Sequence, residues 1–414
     1  MRQFFWFVPV LALLAAGCGE GDGDSDELMP LEITQGIALG EPASPADPAI
    51  EPAVAYDGTR VHIVYCQSDS TATHDVMYVQ RVGAGPFSAP APLYPASAGD
   101  SRRPSVALDA SGTLHTVWVE GTLPGRDIWY VTRNALGVLS TPANVSNTGG
   151  QDENNPRVHV DVSGRVHIVW EGSTLPPNPT SAVFYTRTVG SVLAAPQLLP
   201  FANGGFSAEM PDVGTDENQH VYVVWAENMG SNRNIRMMRS DNNGLSFGNI
   251  GDGIIVAGTA DKTEPRITCG VLGEVILTFI AQDAGGERGL FTALTRTGGT
   301  FSQAAMLFFS ASGGVRNSSI ASFAQADGAR VVTVAFNDGP VAGGNILVRT
   351  SRDGGVNWPG DPVDLSQGNT QPASNRMPCV AMDDNEIVLS WVAQPTGGGV
   401  ARTFTSANSF TLPE

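Results

Sequence analysis

Four acidic side chains stand at comparable places in the sequence, each one or two positions after an aromatic residue that ends a short apolar run. They are Glu120, Glu171, Glu227 and Asp338. Two carboxyl groups at a suitable separation can act as general acid and general base on a glycosidic bond. The alternative is that these groups are solvated or paired with neighbouring arginines, and the sequence alone gives no separation between them. They are candidate catalytic residues.

Three arginines precede other apolar segments and are candidates for an anion site. Arg103, Arg316 and Arg376 come from well-separated parts of the chain. A guanidinium group binds a carboxylate through two parallel hydrogen bonds, so three converging arginines would form a clamp for an anionic ligand. The alternative is that each arginine balances an acidic neighbour.

These candidates belong to a sequence repeat whose copies begin 52 to 60 residues apart. The repeated phrase is Pro-x-Val, a turn, and alternating apolar residues that end in an aromatic one. Its first position is Pro52, Pro104, Pro156, Pro211, Pro265, Ser318 and Pro378. The closing aromatic residue is Tyr65, Trp118, Trp170, Trp225, Phe279, Phe336 and Trp391. A phrase present in seven copies indicates a repeat architecture.

Each repeat is typical of four short strands. In the third copy, the turn 161–164 leads into Val166–Trp170, where β-branched residues alternate with others as in a strand. Four antiparallel strands make one blade, and blades bury their faces by packing around an axis. The sequence therefore predicts an all-β fold, a seven-bladed β-propeller over residues 31–414, with six blades as the less favoured alternative. The last repeat ends after its third strand, so we expect residues 31–39 to supply the fourth and close the ring.

The order of strands also predicts which face carries binding loops. Turns after the first and third strands share one face of the ring, and the loops after the second strand and before the first share the other. The loops after the second strand and before the first strand vary most among the repeats. Variable loops on a fixed scaffold are where binding sites usually occur.

Two turns between third and fourth strands match a known motif. The residues Ser351, Asp353, Gly355 and Trp358 occupy every fixed position of the Asp-box pattern Ser-x-Asp-x-Gly-x-x-Trp. A second copy has Ser240, Asn242, Gly244 and Phe247. Such a turn uses a side-chain oxygen to bind nearby backbone and a glycine with positive φ. With these motifs, residues 31–414 resemble the sialidase-like, BNR-repeat superfamily of β-propellers, in which the box has a structural role.

An enzyme of that superfamily is expected to have an Arg triad for the substrate carboxylate, an acid/base Asp and, late in the chain, a Tyr nucleophile paired with a Glu. Here all seven tyrosines lie between Tyr56 and Tyr222. The Phe/Tyr-Arg-Ile-Pro motif of such enzymes is absent, and the nearest string is 102–105. We therefore expect a binding propeller for a glycan or protein ligand. The alternatives are a sialidase-like glycoside hydrolase and a structural subunit of a cell-envelope complex.

The N-terminal residues are typical of export. Arg2 is followed by an apolar run over residues 4–16, too short to span a bilayer, and then by Gly17 and Cys18. Residues 14–18 resemble a bacterial lipobox, which implies lipidation at Cys18; an ordinary cleaved signal is the alternative. Residues 19–30 begin with a Gly- and acid-rich stretch that predicts a flexible tether. The expected location is a bacterial membrane, more readily the outer membrane or cell surface than the inner membrane.

Charge and cysteine content exclude some functions. The formal net charge is −18, which repels nucleic acid and anionic lipid, so the only membrane contact expected is the lipid anchor. Beyond Cys18 there are Cys66, Cys269 and Cys379. Their spacing predicts neither a metal site nor a cofactor site, although a pairing of Cys66 with Cys379 and an axial metal ion both remain open. Three equivalent histidines, His62, His115 and His167, are expected to be structural, because the later repeats have other residues in their place, namely Tyr222, Ile276, Thr333 and Val388.

Overall fold

The structure is a computed structural model of the chain. It describes residues 37–38, 49–68, 73–83, 85–94, 99–148, 151–173, 181–200, 207–256, 258–270, 273–282, 285–296, 299–310, 314–324, 330–339, 344–366, 373–383, 386–395 and 401–409. Residues 31–414 form one compact unit, to which all the described strands belong. The expected signal segment, the lipidated Cys18 and the tether over residues 19–30 lie outside the described residues.

The strands of the first four repeats follow the predicted order. The first repeat contains β2 (Ala49–Tyr56), β3 (Arg60–Ser68), β4 (His74–Val82) and β5 (Ala91–Pro92), after a short β1 (Ile37–Ala38). The second contains β6 (Arg102–Leu108), β7 (Leu114–Glu120), β8 (Asp127–Arg133) and β9 (Ala143–Asn144). The third contains β10 (Glu153–Val160), β11 (Val166–Ser173), β12 (Ser181–Val189), β13 (Val192–Leu193) and β14 (Gln197–Leu198). The fourth contains β15 (Ala208–Thr215), β16 (Val221–Asn228), β17 (Arg233–Ser240) and β18 (Gly248–Val256).

The last three repeats continue the same order. The fifth contains β19 (Asp261–Cys269), β20 (Val275–Gln282), β21 (Arg288–Thr295) and β22 (Ala305–Phe309). The sixth contains β23 (Val315–Ala324), β24 (Arg330–Asp338), β25 (Asn345–Ser351) and β26 (Val363–Asp364). The seventh contains β27 (Ala373–Met382), β28 (Glu386–Pro395) and β29 (Arg402–Ser409).

These strands form seven antiparallel sheets, here called blades 1 to 7 in the order of the repeats. Six sheets are four-stranded, and blade 3 has five strands because β14 also pairs with β12. Each inner strand packs against the inner strand of the next blade, and β2 packs against β27, so the ring is closed. The prediction of an all-β propeller with seven blades is confirmed.

Blade 7 is completed by the N-terminal strand. The order of its strands is β1-β29-β28-β27, with Ile37 opposite Thr405 and Ala38 opposite Phe404. The predicted closure by residues 31–39 is therefore confirmed for the two residues of that segment that the structure describes. Because β1 is far from β29 in sequence, this pairing ties the two ends of the propeller together.

The hydrophobic core lies between the blades. Seven clusters of buried residues occur, one at each interface between neighbouring blades, and each combines side chains from both. The seven aromatic residues that close the second strands are at most 4% exposed. A single sheet leaves these side chains in water, so the apolar pattern of each repeat is satisfied only by its neighbours.

The three repeated histidines are held by tight turns. In blade 3, Asp161 Oδ1 accepts the backbone N–H groups of Ser163 and Arg165, both at 2.8 Å, and its Oδ2 lies 3.3 Å from Nε2 of His167. The other ring nitrogen of His167 is 2.7 Å from the hydroxyl of Tyr185. The same Asp–His–Tyr arrangement is formed in blade 1 by Asp57, His62 and Tyr78, and in blade 2 by Asp109, His115 and Tyr130. All three histidines are buried, as expected for structural residues.

In the described part of the chain, no helix is long and apolar enough to cross a membrane.

Candidate functional site at the axial channel

Every inner strand is interrupted at the same point by a strained residue. The strand pairing shifts next to the repeated Pro or Ser in all seven blades. The residue before that position has a positive φ, between 48° and 55°, in each case. These seven residues, here called the mouth ring, are Glu51, Arg103, Asn155, Met210, Glu264, Asn317 and Met377. Six of them precede proline, and none is glycine, so this backbone conformation costs energy that the surrounding fold must supply.

The mouth ring surrounds the axis on the face that carries the loops after the second strands. Carboxylates bind it together by accepting backbone N–H groups of the next blade. Glu51 accepts the N–H of Arg103 at 2.7 Å, and Glu264 accepts that of Asn317 at 2.6 Å. The seven side chains of the mouth ring are two carboxylates, one guanidinium, two amides and two thioethers. This combination provides hydrogen-bond donors and acceptors at one rigid opening.

A channel on the axis lies directly inside the ring. It has a volume of about 460 Å³ and is lined by residues from the inner strands of all seven blades. The residue after the repeated Pro or Ser belongs to this lining in every blade. The seven residues, here called the channel ring, are Ala53, Ser105, Arg157, Asp212, Arg266, Ser319 and Cys379.

Three members of the channel ring connect neighbouring inner strands. Ser105 Oγ accepts the N–H of Val158 at 3.3 Å, and Ser319 Oγ accepts that of Val380 at 3.1 Å. Asp212 Oδ2 accepts the N–H of Ile267 at 3.0 Å, while its Oδ1 accepts the N–H of the next residue in its own strand at 3.1 Å. Both carboxylate oxygens of Asp212 are thus engaged by backbone.

Two guanidinium groups remain in the channel without a carboxylate partner. Arg157 donates to the carbonyl of Pro156 at 3.1 Å, and Arg266 donates to the carbonyl of Pro265 at 2.8 Å. Within the described ranges, neither arginine forms an ion pair. Burial, followed by the positive charge of Arg266, lowers the pKa of Arg157 to about 10. The two arginines are therefore close enough to repel one another.

The structure does not bring the three predicted clamp arginines together in the channel. Arg103 lines it as a member of the mouth ring and donates to the side chain of Asn155. Arg316 and Arg376 are not among the lining residues, because they stand one position earlier in their strands. Successive side chains of a strand point to opposite faces, so this single position separates them from Arg103.

The predicted catalytic carboxylates have different surroundings, and two of them are buried within their own blades. Glu120 accepts hydrogen bonds from Ser101 Oγ at 2.6 Å and from Trp118 Nε1 at 2.8 Å. Glu227 is fully buried and forms an ion pair with Arg236 at 3.2 Å. In both cases the partners are structural parts of a blade.

Glu171 and Asp338 are half-buried. Glu171 reaches the mouth ring, where it accepts hydrogen bonds from the side chain of Asn155 at 2.8 Å and from the N–H of Met210 at 3.2 Å. Asp338 ends β24 opposite Val315. The four carboxylates thus occur in four separate blades, and one of them, Glu171, contacts the mouth.

Sequence reasoning missed a buried polar group in blade 3, opposite the residue that follows Glu171. Glu153 is fully buried and lies opposite Gly172, whose missing side chain leaves the room for it. Its Oε1 accepts a hydrogen bond from Thr148 at 2.8 Å. Burial raises the pKa of Glu153 to about 7. The sequence signal was a large polar residue at a position opposite a small one, an arrangement that recurs as Lys262 opposite Ala281.

A tyrosine–carboxylate pair exists, but at the other end of the inner strands. The hydroxyl of Tyr56 donates to Glu386, and burial followed by the charge of Glu386 raises the pKa of Tyr56 well above its usual value. Tyr56 is the last residue of β2, whereas the mouth ring lies at the strand's start. This tyrosine is held in its protonated form, far from the candidate site.

The two turns that match the Asp-box pattern lie on the opposite face, between β17 and β18 and between β25 and β26. In the first, Ser240 Oγ accepts the N–H of Gly244 at 2.8 Å and donates to Asn242. In the second, Ser351 and Asp353 are joined in the same way, with Ser351 accepting the N–H of Gly355 at 2.9 Å.

The aromatic residue that ends each of these turns packs against the preceding blade. Phe247 of blade 4 meets the ring of Tyr185 in blade 3 edge-on, with the centroids 4.8 Å apart. Trp358 of blade 6 packs against the cluster between blades 5 and 6. The turns therefore join blades together and take no part in the channel.

Among the described residues, no group of three or more His, Cys, Asp or Glu side chains could hold a metal ion. Cys66, Cys269 and Cys379 are free thiols; the first is buried, and the last lines the channel. The pairing of Cys66 with Cys379 that the sequence left open is thus not formed.

Comparison with known proteins places the chain by its fold. No family model matches it, and no curated protein matches it. A Dyadobacter fermentans protein of unknown function is similar in structure, with a TM-score of 0.57, 12% identity and coverage of 93% of this chain and 100% of that one. A polysaccharide lyase PL25, an ulvan lyase, is similar with a TM-score of 0.58, 11% identity and coverage of 89% and 98%.

Sialidases also occur among the similar structures. The Trypanosoma rangeli sialidase has a TM-score of 0.47 and 11% identity, with coverage of 91% of this chain and 58% of that one. The structures with TM-scores above 0.5 support the β-propeller fold itself. At these identities the similarity concerns the fold alone.

Proposed function

We propose that this protein is an exported, lipid-anchored β-propeller that binds a glycan at the mouth of its axial channel. The observation that carries the proposal is the mouth ring. Seven non-glycine residues are held at positive φ around one opening, and they present a mixture of amide, carboxylate and guanidinium groups there. Strained backbone of this kind is concentrated at binding sites, where the fold holds polar groups in a fixed geometry.

The surroundings of the carboxylates favour binding over hydrolysis. Glu120 and Glu227, two of the candidates for acid/base catalysis, are engaged by hydrogen bonds or an ion pair inside their blades. Glu171 is the candidate that contacts the mouth, and it is already occupied by Asn155 and Met210. Most glycoside hydrolases need two carboxyl groups facing one bond, and a sialidase-like one needs a Tyr nucleophile beside an acid/base carboxyl group. The ulvan lyase that shares the fold shows that propellers of this shape serve polysaccharide chemistry in other proteins, and this supports a glycan as the ligand.

The test is a binding and turnover assay on the purified protein with immobilised ulvan, sialylated glycans and neutral polysaccharides. We expect retention on at least one polysaccharide without release of smaller sugars. Asn155→Ala removes an amide from the mouth and should weaken retention about tenfold, equivalent to ~1.4 kcal/mol. Ser111→Ala, in a turn on the opposite face, is the matched control and should leave retention unchanged.

Two results would contradict this function. Release of oligosaccharides that stops in the Glu171→Gln variant would make the protein an enzyme. Absence of retention on every polysaccharide, with protein partners recovered from the cell envelope instead, would favour the structural-subunit alternative.

A further inference from the structure

The channel ring is asymmetric in charge. Its two arginines come from blades 3 and 5, with Asp212 of blade 4 between them in ring order. The four remaining members are Ala53, Ser105, Ser319 and Cys379, which are all small. Open space in the channel therefore faces two guanidinium groups and one carboxylate on one side and small side chains on the other.

Among the described residues, neither guanidinium group forms an ion pair with a carboxylate. Each makes one hydrogen bond, to the carbonyl of its own strand, which uses one of its five N–H donors. Asp212 stands between them in ring order and its negative charge acts to raise the pKa of Arg157, but its two oxygens accept backbone N–H groups and bind neither guanidinium directly. By contrast, several arginines outside the channel have carboxylate partners. Arg233 of blade 4, for example, forms ion pairs with both Glu209 and Asp261.

Hydroxyl groups complete the lining. Ser105 and Ser319 each accept a backbone N–H, and a hydroxyl that accepts one hydrogen bond can still donate another. The channel thus offers guanidinium and hydroxyl donors around one space, the chemistry that binds sulfate, phosphate or carboxylate groups.

We propose that the axial channel binds a small oxyanion between Arg157 and Arg266, and that this anion connects blades 3 and 5 past the inner strand of blade 4. The anion neutralises two like charges that otherwise repel each other, so it stabilises the closed ring as well as occupying the channel. The site adjoins the glycan-binding mouth of the proposed function. It can be tested with free sulfate, without any glycan, so the two proposals can fail separately.

The first measurement is calorimetric titration of the purified protein with sodium sulfate, with ionic strength held constant by chloride. We expect one saturable site per chain and an increase in Tm with sulfate. Arg157→Gln and Arg266→Gln should each weaken sulfate binding at least tenfold. Arg126→Gln removes the same charge from a guanidinium that is paired with Asp152, and it should leave sulfate binding unchanged.

Folding of the variants is checked separately. Arg157→Lys and Arg266→Lys keep the charge but lose the planar donors, so they should fold as the wild type does and bind sulfate with intermediate affinity. Sulfate should also slow modification of Cys379 by a thiol reagent, read on the peptide that contains it, because this thiol lines the same channel. It should not protect Cys269, which lies outside the lining.

The source of the oxyanion is decided by competition. An acidic oligosaccharide that displaces sulfate identifies the anion as a group of a bound glycan, and failure to displace it identifies a free ion; both support the site. Absence of saturable sulfate binding in the wild-type protein would overturn the proposal. So would equal weakening in Arg126→Gln and Arg157→Gln, because this would indicate general attraction of anions to positive charge.

Discussion

Gly244 has a positive φ of 81°, and so does Gly164, at 80°. A Cβ atom on Gly244 would lie 1.8 Å from the hydroxyl of Tyr185, whereas nothing lies within 4 Å of one on Gly164. Tyr185 is buried and held by His167, so its ring has no room to move. Gly164→Ala should cost about 1 kcal/mol for the backbone alone, and Gly244→Ala about 3 kcal/mol or more because the clash is added. Urea unfolding of both variants measures the difference, and equal losses would contradict it.

Glu153 should make the protein less stable as pH rises. Its pKa is about 7 in the folded chain, above the usual value of 4.5, because burial favours the protonated form. The folded state therefore binds more protons between these pH values, and the contribution is lost as pH rises from 4.5 to 7. Glu153→Gln keeps the acceptor for Thr148 without the charge.

The comparison of this variant with the wild type at two pH values isolates the effect. At pH 8 we expect Glu153→Gln to be more stable by up to about 3 kcal/mol, and near pH 4 the two should be equal. The free energy of unfolding from urea titrations is the measurement. An advantage of the same size at both pH values would show that ionisation of Glu153 is not its cause.

Among the elements, the Asp–His–Tyr turns predict a pH dependence of the opposite sign. Burial lowers the pKa of His167 below its usual 6.5, although the carboxylate of Asp161 acts against this. The unfolded chain binds the proton more readily, so stability falls as pH drops below about 6.5. The residue at the same place in blade 5 is Ile276. His167→Ile should therefore reduce the loss of stability between pH 7 and pH 5.5, measured by urea unfolding at both, and an unchanged loss would exclude His167 as its source.

The strand β1 gives a prediction about the closure of the ring. Its pairing with β29 supplies the fourth strand of blade 7, so deletion of residues 31–39 should expose the edge of β29 and lower Tm. Deletion of residues 19–27, in the predicted tether, is the matched control and should leave Tm unchanged. Calorimetric scans of the two deletions compare them directly. Equal Tm values would show that β1 contributes nothing to closure.

The sequence predicted the elements far better than the site. The repeated Pro and closing aromatic residue allowed the blades to be counted. Each copy of the phrase forms the first two strands of one blade, and its aromatic residue is buried against a neighbouring blade. The site depends on single positions within those strands. Arg103 precedes its Pro by one residue, whereas Arg316 precedes the equivalent Ser by two. The predicted arginine clamp therefore combined residues from opposite sides of the inner strands.

Arg157 and Arg266 were missed for a related reason. Each follows a repeated Pro by one position, a shared feature that is present in the sequence, but five of the seven repeats have another residue there. Their convergence depends on the inner strands being parallel to one axis and on the bulge beside each Pro. Neither feature produces a periodic signal. An alignment of the seven repeats with one another, read at the position after the repeated Pro, would have identified Arg157 and Arg266.

At the scale of the whole molecule, the net negative charge should affect how fast an anion enters the axial channel. The net charge of −18 is carried by a body whose axial channel holds two unpaired arginines, so an anion that reaches the channel must pass a surface that repels it. Such repulsion slows association and depends on ionic strength. Raising salt should therefore speed the entry of sulfate into the channel even though it weakens the final interaction. Stopped-flow measurements at two ionic strengths test this, and a slower entry at high salt would contradict it.

The predicted lipid anchor determines where this binding would take place. Residues 14–18 resemble a lipobox, and residues 19–30 would then separate the propeller from the membrane by a flexible, acidic segment. Cells grown with labelled palmitate should incorporate the label into the wild-type protein and not into Cys18→Ser, which should be released from the membrane fraction. Ser25→Ala, a substitution within the tether, is the control and should remain labelled. A labelled Cys18→Ser protein would contradict lipidation at this residue, and an unlabelled but membrane-bound one would require that the propeller itself holds the protein at the envelope.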